Sequence, residues 1–289
     1  MKNQGQTPQK SDALTRALDQ AARALRAGRP TEAERFAGPV LSAEPENLLA
    51  AQVLGAALLM QGRFAEAIDP LQMAARRSED PSTGIYLARA LASVGRQDEA
   101  LAQLRECAAR RPPFVQAFLE LGDQLAEAGR YDEAAEVFGT GLTLAPEAVV
   151  LQIGLGYLRL RRDDRDGARE LFSQARAAAP ERRDAALALA RVMALDGEAE
   201  AAADLFRFAL ATQPRDSVVR IELGKCLLDL GEREAGEEML QIGARGQAQW
   251  GPALRALTAS AHGRAFLRPS AAARFLEDGS GNQARNRRR

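Results

Sequence analysis

The chain has 289 residues, enough for two ordinary globular domains or one extended array. Hydrophobic residues make up 46% and charged residues 27%, which excludes a chain disordered by composition, and no alternating runs rich in Val, Ile and Thr indicate a strand meander. The formal net charge is zero, so bulk charge indicates no acidic partner, although seven arginines in residues 264–289 leave the remainder mildly acidic.

The N-terminal end of the chain is polar. Residues 1–11 are predicted to be a solvated tail, and they lack the apolar segment of a signal peptide. The most apolar stretch, residues 48–60, contains Gln52 and is too short to span a bilayer. We therefore expect a soluble cytoplasmic protein that makes no membrane contact.

Glycines recur at a nearly constant interval between residues 12 and 250. They are Gly28, Gly62, Gly95, Gly129, Gly197 and Gly231. The intervals are 34, 33, 34, 68 and 34 residues, and the missing member falls at Asp163, a residue type that tolerates the left-handed conformation of a tight turn. A small residue stands five places after each of these seven turn positions, and another stands seven places before each. A large apolar residue stands nine places after six of the seven turn positions. This agreement between registers indicates an internal repeat.

Each interval predicts two antiparallel helices. The first helix ends at the glycine, which takes the C-cap turn, and the second begins two or three residues later and ends before a proline that recurs about seventeen places after the glycine. Small residues permit the helices to approach closely, while the large ones fill the space between them. One hairpin alone leaves an apolar face exposed, so we expect the seven hairpins of residues 12–250, with turns at 28, 62, 95, 129, 163, 197 and 231, to stack.

This spacing resembles that of the tetratricopeptide repeat family. The fourth repeat carries the pattern almost completely, as Leu121, Gly122, Gly129, Ala134, Phe138 and Pro146. The resemblance covers residues 14–250 and implies an all-α, right-handed α-solenoid of about seven helix hairpins. The first repeat departs from the pattern at Gln20 and Ala37, and the seventh at Gly236 and Gly243. Terminal repeats are expected to be atypical because one of their faces meets water.

The C-terminal end is predicted to close the array. Residues 251–278 are predicted to form degenerate capping helices. We expect Trp250, which precedes them, to cover the end of the core. Residues 279–289 are predicted to form a basic disordered tail. Because no aromatic residues alternate with its arginines, this tail is not predicted to bind nucleic acid.

Residues suited to catalysis are scarce. The single histidine, His262, lies in the predicted cap, which argues against a zinc site with several histidines and against a Ser-His-Asp triad. Cys107 and Cys226 lie in separate helices and are expected to be inert packing thiols. The acidic pair Glu237 and Glu238 is expected on an exposed helix face. We predict no enzymatic activity, no cofactor and no metal.

The resemblance implies that the first helix of each hairpin lines the concave groove of the solenoid. Among the residues six places before each turn, the charged and aromatic ones are Arg89, Asp123, Tyr157, Arg191 and Lys225; the position two places before the turn adds Glu127, Arg161 and Asp229. One interpretation is that Arg89, Tyr157, Arg191 and Lys225 bind an extended acidic or carboxylate-bearing peptide. The other is that these residues face solvent and form salt bridges with one another along the ladder.

The resemblance and the missing catalytic groups together predict a protein-interaction scaffold or adaptor that holds a partner protein or peptide in the groove. Neither the Lys/Asn clamp of chaperone-docking members nor the asparagine ladder of sugar-transferase members is present at the matching positions. Two alternatives stay open. The chain could be a non-catalytic subunit that presents or regulates a separately encoded sulfo- or glycosyltransferase, since bacterial enzymes of these classes can carry such arrays. It could also self-associate through its terminal repeats as a structural array.

Overall fold

A computed structural model describes residues 7–77, 80–245, 249–264 and 269–277. These residues form sixteen α-helices and no strand. The helices are α1 (Thr7–Arg26), α2 (Pro30–Ala43), α3 (Leu48–Met60), α4 (Phe64–Ala75), α5 (Pro81–Ser93), α6 (Gln97–Ala109), α7 (Val115–Glu127), α8 (Tyr131–Leu144), α9 (Val149–Arg161), α10 (Arg165–Ala178), α11 (Arg183–Leu195), α12 (Ala199–Thr212), α13 (Ser217–Asp229), α14 (Arg233–Ala244), α15 (Trp250–Ala259) and α16 (Pro269–Glu277). The predicted all-α class is confirmed.

A residue in the left-handed conformation separates the two helices of each of the first seven hairpins. Six of these residues are the recurring glycines, with φ between 68° and 84°. At Gly129 no atom lies within 4 Å of the place a Cβ would take, so the backbone conformation, and not crowding, favours glycine there. Asp163 takes the remaining turn, the fifth in chain order, with φ 61°, and it is the single non-glycine residue with positive φ in the described parts of the chain.

Small and large residues interlock within the hairpins. A Cβ on Gly122 would lie 2.5 Å from the ring of Phe138, and one on Gly156 would lie 2.4 Å from the ring of Phe172. Both rings are almost completely buried. The first helix of each of these hairpins therefore needs glycine at the crossing point, so that a phenylalanine from the second helix can fill the space against its backbone.

Side-chain caps and prolines explain where several helices begin. Asn47 accepts a hydrogen bond from the Ala50 amide at the start of α3, and Asp216 accepts from the amides of Val218 and Val219 at the start of α13. The first helical residue of α2 is Pro30, at a position where its missing amide hydrogen costs nothing.

The chain divides into two compact units, which we call unit 1 (to Leu151) and unit 2 (from Gln152). Unit 1 contains α1 to α8 and unit 2 contains α10 to α16, while the division falls within α9. Each unit has its own buried apolar clusters. One in unit 1 joins alanines of α1, α2 and α3, and two in unit 2 are built on α11 to α13 and on α13 to α16.

The ends of the chain differ in part from the prediction. Residues 7–11, predicted as tail, belong to α1; Pro8 stands in the first turn of this helix, where proline is tolerated. Residues 1–6 and 278–289, which include the predicted basic tail, lie outside the described residues. At the C-terminal end, α15 and α16 pack against the seventh hairpin, and Leu257 and Leu276 join its core, with Trp250 packed beside them.

A buried acid secures this C-terminal cap and corrects one expectation. Glu237 does not lie on an exposed face: it is 8% exposed and accepts hydrogen bonds from Arg264 (2.6 and 2.9 Å) and from Arg233 (3.0 Å). Burial raises the pKa of Glu237, but the two arginines outweigh burial and hold the pKa below its ordinary value. The guanidinium of Arg264 also lies 4.7 Å from the ring centre of Phe275, so one arginine joins α14 to α16.

Candidate functional site

One pocket of unit 2 brings together four of the eight predicted groove residues. The pocket has a volume of about 450 Å³ and lies across the first helices α9, α11 and α13. The four residues are Tyr157, Arg191, Lys225 and Asp229. Arg161, at the end of α9, is exposed and is not among the lining residues.

The floor of this pocket is apolar, and the sequence did not predict it. The apolar lining residues are Leu160, Ala194, Leu195, Ala199, Phe206 and Cys226. Phe206 fills the sixth hairpin, whereas Leu195, the last residue of α11, is 53% exposed. Exposed apolar residues also precede the turns at Gly62, Gly95 and Gly231, so Leu195 by itself did not single out this pocket in the sequence.

Arg191 forms the centre of the polar wall of the pocket. Its Nε donates to Glu222 on α13 at 2.9 Å, and its Nη1 donates to the Tyr157 hydroxyl on α9 at 3.1 Å. Burial lowers the pKa of Arg191, but Glu222 and Tyr157 outweigh burial and raise the pKa above its ordinary value. The tilted contact between the rings of Tyr157 and Phe172, with centres 5.1 Å apart, positions the hydroxyl. A charged guanidinium is thus fixed between three helices.

Lys225 and Asp229 lie one turn apart on α13 and differ from Arg191 in being unpaired. Both are exposed, and neither forms a hydrogen bond or an ion pair within the described part of the chain. The rim of the pocket therefore offers one ammonium group and one carboxylate to a ligand.

The other three predicted groove residues, Arg89, Asp123 and Glu127, lie in unit 1. Arg89 donates from Nε to Glu120 on α7 at 3.0 Å, with a second contact from Nη2 to the same carboxylate. Asp123 is exposed at its tip, yet the protein around it removes enough water to raise its pKa to about 6, and the nearby Glu120 and Glu127 add to this effect. These residues form an acidic surface around one arginine.

Glu120 and Glu222 are the polar residues that sequence reasoning missed. Each stands nine places before the turn of its repeat and pairs with an arginine six places before the turn of the preceding repeat. The shared offset in repeats four and seven was the signal that could have identified them. For Arg89 and Arg191, salt bridging to the next repeat is therefore present in the structure.

The described residues contain no cluster of His, Cys, Asp and Glu suited to a metal ion. Both cysteines are buried, and burial raises the pKa of Cys107 and raises that of Cys226 to about 11. His262 lies with Nδ1 3.1 Å from the carbonyl oxygen of Leu228, in the contact between the cap and α13. Among the described residues, no helix has the length and apolar character needed to cross a bilayer.

Family models described as tetratricopeptide repeats match residues 24–83, 125–192 and 193–261, and a second model with the same description matches residues 87–148. The chain belongs to the tetratricopeptide repeat family. The matches span the seven turns and both helices of nearly every hairpin. A search of curated proteins found no match.

Solved structures of low sequence identity share the fold of this tetratricopeptide repeat chain. A chain in the crystal structure of the APC/C hetero-tetramer Cut9-Hcn1 aligns with a TM-score of 0.66 and 17% identity; 83% of our chain is covered, and it spans 48% of that chain, about half its length. A tetratricopeptide repeat protein from Parabacteroides merdae aligns with a TM-score of 0.64 and 16% identity, over 86% of our chain and 99% of that one. PilF of Pseudomonas aeruginosa aligns with a TM-score of 0.57 and 19% identity, over 68% and 90%.

Proposed function

We propose that this protein is an interaction scaffold or adaptor that holds a segment of a partner protein on the first-helix face of unit 2, the surface formed by α9, α11 and α13. The observation that carries the proposal is the pocket on this face, where an apolar floor meets a fixed arginine and two unpaired charged groups. Binding pockets typically combine an apolar lining with a few placed polar groups.

The family and the structural neighbours support this function at a coarser level. The matching chain in the Cut9-Hcn1 structure is part of a hetero-tetramer, so a chain with this fold works there within an assembly of several chains. Each hairpin in such an array contacts only its neighbours and presents one helix on each side. Stacked hairpins therefore place equivalent helices next to one another, and these helices together form an extended binding surface.

The arrangement of the face suggests how a partner is held. Arg191 is positioned in advance by Glu222 and Tyr157, so little of its side-chain freedom is lost when a partner binds. Leu195 lies exposed beside the apolar floor and offers area that a partner can cover. Such a face binds by burying an apolar group and orienting it through charge.

Affinity capture with matched variants tests the proposed function. Leu195→Asp/Lys225→Glu changes the pocket, and Val218→Asp/Arg207→Glu makes the same chemical changes at exposed residues of unit 2 outside the pocket. We expect wild type and the Val218/Arg207 variant to retain one partner, identified by mass spectrometry, which the Leu195/Lys225 variant loses. Titration of the purified partner against all three proteins then measures binding directly.

Each of the other outcomes replaces the proposal with a different one. If all three proteins retain the same partner, binding takes place on another surface. If none retains a partner and light scattering shows that the mass rises with concentration, the protein is a self-associating array. If the retained partner is a sulfo- or glycosyltransferase whose activity changes on binding, the chain is the regulatory subunit of that enzyme.

A further inference from the structure

Resting on this proposed function, we propose that the unit 2 pocket takes a large apolar side chain of the partner segment, while a carboxylate next to that side chain in the segment bridges Lys225 and Arg191. The proposal specifies the chemistry of the recognised segment: an aromatic or large aliphatic residue flanked by Asp or Glu.

The size and lining of the pocket select the apolar side chain. A volume of about 450 Å³ exceeds that of any single side chain, so a large residue enters together with part of the backbone. Phe206, Leu160 and Leu195 all belong to its apolar lining, and Leu195 is the exposed one of the three. A small polar residue would leave this apolar surface exposed to water.

The unused hydrogen-bond donors of Arg191 point to a carboxylate. A guanidinium has five N–H groups, and Arg191 uses three of them: one on Nε and one on Nη2 toward Glu222, and one on Nη1 toward Tyr157. One N–H on each Nη nitrogen is bonded to neither Glu222 nor Tyr157. A carboxylate is the acceptor that forms the strongest hydrogen bonds with such charged donors.

Lys225 adds the unpaired positive charge that a carboxylate of the segment would face. The Arg191 guanidinium is already balanced by Glu222, whereas the Lys225 ammonium has no ionic partner in the described residues. Asp229, one turn further along α13, and Glu222, which Arg191 already binds, also line the pocket and would repel a carboxylate close to them. The acid of the segment is therefore placed against the Lys225 ammonium and the unused Nη donors of Arg191.

Lys225 also provides a specific spectroscopic probe, since the chain contains only two other lysines, Lys2 and Lys10. Reductive methylation with ¹³C-formaldehyde keeps the positive charge and labels three lysines and the amino terminus of the full chain. Lys225→Arg identifies the Lys225 signal by its absence. A ligand that binds at the rim shifts this signal and leaves the signals of Lys2 and Lys10 in place.

The test titrates three capped tripeptides into the labelled full-length protein: acetyl-Asp-Phe-Asp-amide, acetyl-Asn-Phe-Asn-amide and acetyl-Asp-Ala-Asp-amide. We expect the first to shift the Lys225 signal with millimolar affinity. The asparagine peptide should bind about fivefold more weakly, since an exposed ion pair is lost. The alanine peptide should bind about tenfold more weakly or worse, since the apolar side chain is missing. In unlabelled protein, calorimetry should show that Lys225→Ala removes the preference for Asp over Asn and that Lys225→Arg retains it.

Two results would overturn the pocket proposal. One is equal affinity for the aspartate and asparagine peptides, and the other is equal affinity for the phenylalanine and alanine peptides, with absence of any binding counted as equality. Circular dichroism of Lys225→Ala checks that the fold is retained, as we expect for a substitution at an exposed residue. A partner lost only by the Leu195/Lys225 variant, together with indifferent tripeptides, would retain the scaffold function and reject the predicted segment.

Discussion

The same interhelical ion pair occurs once in each unit, in different surroundings. In unit 1, Arg89 of the third repeat pairs with Glu120 of the fourth, and in unit 2, Arg191 of the sixth pairs with Glu222 of the seventh. The two arginines stand six places before the turns of their repeats, and the two glutamates stand nine places before the turns of theirs. The pair itself therefore belongs to the way neighbouring hairpins pack and does not distinguish a binding site.

The residues around the two pairs carry the difference. Where unit 1 has Asp123, unit 2 has Lys225, and the residue six places before the preceding turn is Ala56 in unit 1 and Tyr157 in unit 2. The first exchange reverses the charge next to the pair, and the second supplies a hydroxyl that orients the arginine. A regular array thus acquires a local chemistry by changing two positions per site, while small and large packing residues keep the same registers.

The largest effect is expected from removing one buried phenylalanine in each unit, which tests whether the stability of the unit depends on that side chain. We expect Phe172→Ala and Phe138→Ala each to lower the free energy of unfolding by about 3–5 kcal/mol, because each leaves a cavity against a glycine. Hydrogen exchange should show faster exchange in the hairpin that contains the substitution. Uniform exchange changes along the chain would contradict the packing register.

Turn residues should give the next largest effect, with opposite signs in the two units. Gly129→Ala in unit 1 should destabilise by about 1–2 kcal/mol, because alanine is strained at positive φ and nothing crowds its Cβ. Asp163→Gly in unit 2 should stabilise slightly, because glycine relieves the strain at φ 61°. Urea unfolding of the two variants measures both changes, and effects of equal sign would contradict this explanation.

Substitution of Glu120 and of Glu222 should distinguish an effect on stability from an effect on peptide binding. Glu120→Gln and Glu222→Gln should each destabilise by about 0.5–1 kcal/mol, as expected for partly exposed ion pairs. Glu222→Gln alone should also strengthen binding of the Asp-Phe-Asp tripeptide, since the charge of Arg191 is then no longer balanced. If Glu120→Gln strengthens the tripeptide as much, the pocket of unit 2 is not its site.

The smallest effect concerns the pH dependence of unit 1. Because the pKa of Asp123 is raised to about 6 in the folded state, above the unfolded value of about 3.9, this carboxylate lowers stability as the pH rises through that interval. Asp123→Asn should therefore stabilise the protein at pH 7 by less than ~1 kcal/mol, since solvent screens the exposed group, and have no effect near pH 4. Thermal unfolding at both pH values measures the difference. Lys225→Gln at the equivalent position of unit 2 removes no carboxylate and serves as the control.

The repeated part of the fold could be predicted from sequence because each constraint recurs. Phe138 and Phe172 stand opposite Gly122 and Gly156 at a fixed interval, so one hairpin explains the other, and the fixed interval also indicated that Asp163 takes a turn. Features that occur once could not be predicted in this way. Glu237 is buried because Arg264, 27 residues later and outside the repeats, packs beside it. Because this contact occurs once and does not repeat, the periodicity of the sequence could not predict it.

The candidate site was predictable only in part, for a similar reason. The repeat spacing predicted that Tyr157, Arg191, Lys225 and Asp229 lie on first helices, and the structure brings them around one pocket. The spacing did not show which of the charged side chains form ion pairs. Arg191 and Lys225 look alike in sequence, and they differ because the first forms an ion pair with Glu222, whereas the second forms none with any residue that the structure describes.

The buried Glu237 limits how this array can change its length during evolution. Repeat proteins commonly gain modules by duplication of whole hairpins, which succeeds when each copy is self-sufficient. A second copy of α13 and α14 would carry another Glu237 with its Arg233 but with no second Arg264 opposite it, and a buried carboxylate that lacks one of its two arginine partners is unfavourable. Duplications are therefore expected among the hairpins that precede α13, while the last hairpin and its two capping helices are inherited together as one piece.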